Sequence, residues 1–135
     1  MTWRLKAGLI AAAVVWTAGV QAGAAPGPTQ VKALLSAPLA DMPGKEALLV
    51  SVRYPPGGSD GIHRHDALVF VYVVDGSITM QVRGGQPVTL TKGQTFQEQP
   101  GDVHVVGRNA SKTKSATFLA FFVKNKGAPP VLPAE

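Results

Sequence analysis

Cysteine is absent from the 135 residues, and histidine occurs only three times. The absence of cysteine excludes a disulfide scaffold, a thiolate zinc site and a cysteine nucleophile. Charged residues make up only 16% of the chain and hydrophobic residues 45%. This balance excludes an intrinsically disordered protein and supplies enough apolar material for one core. At this length the chain has room for a single domain.

The apolar stretch at residues 7–20 is too short to cross a membrane as a helix. Its fourteen residues would span about 21 Å, against a hydrocarbon core of about 30 Å. Two basic residues precede it, and the small residues Ala22 and Ala24 follow, an arrangement typical of a cleaved export signal. A buried helix of the domain is disfavoured because Pro26-Gly27-Pro28 interrupts the chain directly afterwards. We predict a signal helix over residues 1–24, with a cut after Ala22 as the alternative, and a periplasmic or secreted protein without a stable membrane anchor.

The net charge of +5 does not indicate a nucleic-acid partner. The leader carries two of the basic residues, so the remaining 111 residues have 11 basic and 8 acidic side chains, a net charge of +3. Lysines 112, 114, 124 and 126 cluster near the end of the chain, but no aromatic residues are interleaved with them at stacking positions. An exported domain of this charge, without disulfides, suits a bacterial periplasm.

The rest of the sequence predicts an all-β domain. Apolar and polar residues alternate in short runs separated by turn residues, with no convincing helical periodicity. Seven or eight strands are predicted, at residues 31–35 (a possible edge strand), 47–54, 68–74, 77–82, 87–91, 94–98, 103–108 and 115–123. Such a pattern is typical of a sandwich, a small barrel or a jelly roll. We divide the chain into the leader, an N-terminal segment at 25–46, a barrel at 47–123 and an irregular tail at 124–135.

The three histidines occur at two places that can form one site. His63 and His65 are two residues apart in extended chain, so their side chains point to the same face, and His104 lies on a later strand. Three neutral imidazoles would leave open coordination positions on Fe, Zn, Ni, Mn or Cu. The H-x-H pair alone is a weak signal, because such pairs are often solvated or hydrogen-bonded without a metal.

The spacing of glycines around these histidines resembles the two motifs of the cupin family. The first motif, G-x5-H-x-H-x3-E-x6-G, and the second, G-x5-P-x-G-x2-H-x3-N, are matched in register by Gly57, His63, His65, Gly76, Gly93, Gly101 and His104. The resemblance is close over residues 51–109 and continues to 123 through the strand pattern. It implies a single-domain cupin β-barrel (a double-stranded β-helix, or jelly roll) with a divalent metal ion held by His63, His65 and His104.

Three positions depart from the motifs. The glutamate ligand of the first motif falls on Val69, and the proline and asparagine of the second fall on Gln99 and Arg108, with Pro100 and Asn109 one place late. Without the glutamate, a divalent ion on three neutral imidazoles keeps a charge near +2 and should favour an anionic guest. Cupins without this glutamate include three-histidine metalloproteins and proteins that bind no metal.

Other polar residues have two interpretations each. Glu98 is the nearest substitute carboxylate, either a fourth metal ligand or a surface acid paired with Arg108 or a lysine. Arg53 would bind a substrate carboxylate if its strand face lines the barrel, and would otherwise be a solvated arginine at the rim. Asp66 and Asp102 either orient the neighbouring imidazoles or stabilise turns.

The resemblance implies a small-molecule site whose natural guest is a small, oxygen-rich organic acid. If the protein is an enzyme, dioxygenase or isomerase chemistry is expected. The alternative is a non-enzymatic binding module in which the metal is structural or absent, since the fold alone does not determine activity. By analogy with cupins of this size, a homodimer that uses the strand at 115–123 is a further expectation.

Overall fold

Ten strands form two five-stranded antiparallel sheets in the computed structural model, which describes residues 23–134. The first sheet contains, in spatial order, β1 (Gln30–Pro38), β2 (Lys45–Tyr54), β9 (Ala116–Asn125), β4 (Ala67–Asp75) and β7 (Thr95–Glu98). The second contains β10 (Leu132–Pro133), β3 (His63–Arg64), β8 (Val103–Asn109), β5 (Ser77–Val82) and β6 (Val88–Thr91). Residues 23–134 are free of helix, and so of any helix able to cross a membrane. The all-β prediction is confirmed, while the predicted signal helix lies outside the described residues.

Two strands were not predicted. β3 and β10 have two residues each and pair with one another, so that Leu132 lies opposite Arg64 and Pro133 opposite His63. Residues 124 and 125 continue β9. The segment after residue 123 is therefore more regular than the predicted tail. Its pairing could not be predicted from nearby residues, because the partner strand lies some 70 residues away in the sequence.

The core lies between the two sheets and follows the alternation of the strands. On β4, Val69, Val71 and Val73 are buried, whereas the intervening Phe70 and Tyr72 are 42% and 48% exposed. A strand directs successive side chains to opposite faces, so one face of the first sheet packs inward and the other remains at the surface. Each fully buried valine contributes about 1.5–3 kcal/mol of hydrophobic stabilisation.

Gly76 joins β4 to β5 at a position that only glycine can fill. Its φ is +74°, and an added Cβ would lie 2.7 Å from the Ser115 carbonyl oxygen. Both the left-handed backbone and the close approach of the neighbouring chain require the missing side chain. The glycine that ends the first motif is thus explained by the turn between two strands of different sheets.

Asn109 connects the loops at one end of the barrel by hydrogen bonds. It lies one place after the asparagine position of the second motif. Its side-chain amide donates to the carbonyls of Pro55, at 3.0 Å, and Lys114, at 2.7 Å, and its Oδ1 accepts from the Ser111 N–H at 2.8 Å. The side chain is buried with all these groups satisfied. The one-residue displacement from the motif therefore leaves a structural asparagine in place.

Candidate metal centre

The second sheet brings the three histidines together. His63 on β3 is paired directly with His104 on β8, and His65 follows two residues after His63. One nitrogen from each ring lies within 4.8 Å of the others. The His63 ring centroid is 4.8 Å from that of His65 and 4.9 Å from that of His104. The two places that the sequence singled out thus form one cluster.

Backbone carbonyls orient two of the imidazoles. The Nδ1 of His63 lies 2.8 Å from the Gly61 carbonyl oxygen, and the Nδ1 of His65 lies 2.5 Å from the Pro130 carbonyl oxygen. A carbonyl can only accept, so each Nδ1 carries the proton and each Nε2 keeps its lone pair. Both rings therefore have the tautomer that a metal ligand requires.

His104 is buried with neither ring nitrogen hydrogen-bonded. Burial lowers its pKa to about 4, with a further contribution from the neighbouring His63. Burial also lowers the pKa of His65. At neutral pH both rings are uncharged, which is the form that binds metal ions.

Glu98 lies beside the histidines and is 2% exposed. Its Oε2 is 3.8 Å from His65 Nε2, and its Oε1 is 3.8 Å from His104 Nδ1. Oε2 has no hydrogen-bond partner. Burial raises the pKa of this carboxyl to about 7, helped by the nearby Asp102. The alternative of a surface acid paired with Arg108 is wrong, because Glu98 points inward while Arg108 is exposed on β8.

The position of Glu98 is related to that of Val69. The two residues are direct cross-strand partners in the pairing of β7 with β4. Paired residues of adjacent strands project to the same face of a sheet, and both of these line the same cavity. A carboxylate therefore lies directly across from position 69 on the neighbouring strand.

Arg53 does not reach the cavity. Val50, Val52 and Tyr54 are the inward-facing residues of β2, so Arg53 projects from the opposite face and is exposed. Of the two interpretations of Arg53, the solvated arginine agrees with this position and the substrate-binding one does not. Asp102 accepts from the Gln99 N–H at 2.8 Å, as the turn interpretation expects. Asp66 instead forms an ion pair with the Arg64 side chain.

A cavity of about 530 Å³ adjoins the cluster and contains a second polar pair. The Tyr54 hydroxyl donates to Asp60 Oδ2 at 2.5 Å, and both residues line the cavity. Burial, together with the charge of Asp60, raises the pKa of Tyr54, so the phenol keeps its proton. No sequence pattern indicates this pair, because Tyr54 ends an ordinary strand and Asp60 lies in a glycine-rich turn.

The segment 126–133 forms one wall of the cavity. Its first residues are fixed by the buried Lys124, which pairs with Glu46 and donates to the Ala128 carbonyl at 2.7 Å. Its last residues form β10, and the four residues Pro130–Pro133 line the cavity. The end of the chain therefore contributes directly to the site.

The comparisons with known proteins agree with this geometry. The family model described as Cupin domain matches residues 50–122. The fold and site define a β-barrel of the double-stranded β-helix type, and the chain belongs to the cupin family. None of the curated proteins matches the chain.

Several solved structures share the fold at low sequence identity. A double-stranded beta-helix protein from Klebsiella pneumoniae is 16% identical, with a TM-score of 0.63 over 80% of this chain and 87% of that one. The polyketide cyclase RemF from Streptomyces resistomycificus is 21% identical, with a TM-score of 0.61 over 82% and 73%. The DMSP lyase DddQ from Ruegeria pomeroyi is 21% identical, with a TM-score of 0.57 over 64% of this chain, but this chain spans only 42% of it.

Proposed function

We propose that the protein is an exported cupin that binds one divalent metal ion through His63, His65, His104 and Glu98 and holds a small organic molecule in the adjoining cavity. The observation that carries the proposal is the convergence of three histidine nitrogens beside the buried Glu98, with Glu98 Oε2 and both ring nitrogens of His104 lacking any hydrogen-bond partner. Buried polar atoms without partners are rare, and a bound ion is one of their ordinary explanations.

The donor set fits a first-row transition metal. Three imidazoles with one carboxylate suit Zn, Fe, Mn, Ni or Cu. The carboxylate of Glu98 would reduce the net charge of a divalent site to about +1, instead of the +2 expected for three imidazoles alone. A metal held here would supply Lewis acidity or, for iron, chemistry with oxygen.

The protein's own groups orient the donors and shape the cavity. The carbonyls of Gly61 and Pro130 hold the two rings with Nε2 directed at the cluster. The Tyr54 hydroxyl is fixed by Asp60 and offers its oxygen as an acceptor to a guest molecule. The apolar walls exclude water from the polar groups, which strengthens their interactions with a guest.

Dioxygenase or isomerase chemistry is the activity that such a site would support, because among residues 23–134 no serine, threonine, cysteine or lysine lines the cavity. The second candidate is a binding module without catalysis. It is favoured by the Tyr54–Asp60 pair, in which the phenol keeps its proton and cannot act as a base near neutral pH. Oxygen consumption by the iron-loaded protein with a panel of small acids and diketones detects a dioxygenase, and NMR spectra of the same compounds before and after incubation detect an isomerase. A binding module leaves both the oxygen and the compounds unchanged.

The metal is tested by elemental analysis of protein purified without an affinity tag. We expect about one ion per chain, and less than about 0.1 in a triple variant with alanine at His63, His65 and His104. The exposed Arg108→Ala, on the same strand as His104, is the matched control and should retain the metal. Absence of metal from the wild-type protein after incubation with zinc or iron would contradict the proposal.

The role of Glu98 is tested by moving its carboxylate to position 69, its cross-strand partner on β4. We expect Glu98→Val to weaken zinc binding by at least about tenfold, since one of four ligands is lost. The double substitution Val69→Glu/Glu98→Val restores a carboxylate at the partner position and should recover most of that affinity. A double variant as weak as the single one would show that Glu98 does not act as an interchangeable ligand.

Export and dimerisation complete the proposal. Export is supported by the charged and apolar pattern of residues 1–24. It is tested by N-terminal sequencing of the protein from a periplasmic fraction, which should begin at residue 25 or 23. A homodimer is supported by the outer face of the first sheet, where Phe70 and Tyr72 expose their rings beside Leu119 and Phe121 of β9.

A further inference from the structure

The cavity beside the histidines is lined mainly by apolar side chains. Apart from the four proposed ligands and the Tyr54–Asp60 pair, its lining consists of aliphatic and aromatic residues, prolines and one glycine. Both sheets contribute to it, with Val52, Val71 and Phe118 from the first and Met80 from the second. The volume of about 530 Å³ lies within the range of sites for drug-sized ligands.

Among residues 23–134, no lysine or arginine lines this cavity. The charged groups that do line it, besides the histidines, are the carboxyls of Asp60 and Glu98. A polyacid guest could therefore place one carboxylate on the metal, but its other carboxylates would face apolar walls or another acid. Burying an unpaired carboxylate is strongly unfavourable. The cavity thus disfavours the small, highly charged acids that a bare three-histidine site would select.

The mouth of the cavity is also apolar. Val31 from β1, Ile62 before β3 and Val131 before β10 all line it, although they are 65%, 57% and 53% exposed. Three large aliphatic side chains from separate segments are held in solvent at the entrance. They would cover the apolar part of a guest that extends outward from the metal.

We infer that the guest has a small oxygen-bearing head for the metal and an apolar body that fills the cavity and contacts Ile62 and Val131. The part of this inference that concerns the head group rests on the proposed function. The part that concerns the apolar body rests on the residues that line the cavity. Each methylene group transferred from water to such a cavity is worth up to about fourfold in Kd. Affinity should therefore rise with the apolar length of the guest at constant head group.

Two hydroxamic acids with the same chelating head test this dependence. We expect the zinc-loaded protein to bind octanohydroxamic acid at least about 30-fold more tightly than acetohydroxamic acid in calorimetry. The double substitution Ile62→Asp/Val131→Asp should remove most of this difference. Val74→Asp, at another exposed aliphatic residue outside the cavity lining, is the matched control and should preserve the difference. Equal affinities for the two acids in the wild-type protein would overturn the inference while the metal site stands.

A neutral probe tests the apolar body without the metal. In chelator-treated protein, N-phenyl-1-naphthylamine should bind with increased fluorescence, at least about tenfold more weakly in the Ile62→Asp/Val131→Asp variant than in wild type or Val74→Asp. No binding, or binding unchanged by the mouth substitutions, would overturn the inference whatever the metal content. Binding of this probe by a protein that takes up no metal would instead contradict the proposed metal function and support the apolar site.

Discussion

Replacing Glu98 by glutamine should stabilise the metal-free protein at alkaline pH. Burial raises the pKa of this carboxyl from 4.5 to about 7, so the folded state holds its proton more tightly than the unfolded chain does. The stability that the protonated carboxyl contributes is complete below pH 4.5 and is lost as the pH rises through about 7. The interval between the two pKa values corresponds to about 3 kcal/mol.

Glutamine has the shape of the protonated acid but does not titrate. We therefore expect Glu98→Gln and wild type to have similar free energies of unfolding near pH 4.5, and the variant to be more stable by about 3 kcal/mol at pH 8. The measurement is urea denaturation of chelator-treated protein at both pH values. His104 changes the free energy of unfolding in the opposite direction, because its lowered pKa removes stability as the pH falls from 6.5 towards 4. This contribution is common to both proteins and cancels in their difference.

Two results would refute this reasoning. A difference between wild type and Glu98→Gln that is the same at both pH values would show that the carboxyl does not titrate abnormally. A variant less stable than wild type at pH 8 would show that the charged carboxylate has a partner in the metal-free protein. Gln97→Ala, an exposed neighbour on β7, is the control for the strand itself and should show no such pH dependence.

Three further predictions follow from single contacts. Asn109→Ala should lower the free energy of unfolding by about 2–4 kcal/mol in urea denaturation, because it removes all three hydrogen bonds of a buried side chain; a loss below about 0.5 kcal/mol would contradict this. Gly107→Ala would place a Cβ 3.0 Å from the Tyr54 hydroxyl and 3.1 Å from His104 Cε1. It should therefore weaken zinc binding about tenfold in a competition assay, and unchanged affinity would show that the His104 ring can shift freely. Phe70→Asp should convert the proposed dimer to monomers in sedimentation velocity, whereas a wild-type protein that is already monomeric contradicts the dimer.

Much of the fold could be predicted from the sequence because it depends on local signals. The run of β-branched and aromatic residues on β4 and the turn at Gly76 define strand and connection within a few residues. The motif spacing likewise predicted that His104 forms one site with His63 and His65. β3 and β10 could not be predicted, since two residues carry no alternation and their pairing depends on the path of the whole chain.

The rest of the site depends on the pairing of strands. Which strand lies beside β4 is not readable from residues 67–75, so the inward position of Glu98 opposite Val69 required the structure. The two interpretations of Arg53 stayed open for the same reason: alternation separates two faces of β2, and only packing shows that the face of Tyr54 is the inner one. The carbonyl that orients His65 belongs to the backbone of Pro130. Every residue type has such a carbonyl, so the sequence does not indicate this contact.

The cross-strand relation of Val69 and Glu98 has a consequence for how such proteins diverge. A valine in place of the motif's glutamate looks like the loss of a function, yet an acid on the facing strand can occupy the same region of space. A form with acids at both of these cross-strand positions would connect the two arrangements without losing the carboxylate. Family members that lack the motif's glutamate are therefore best compared by pairs of cross-strand positions.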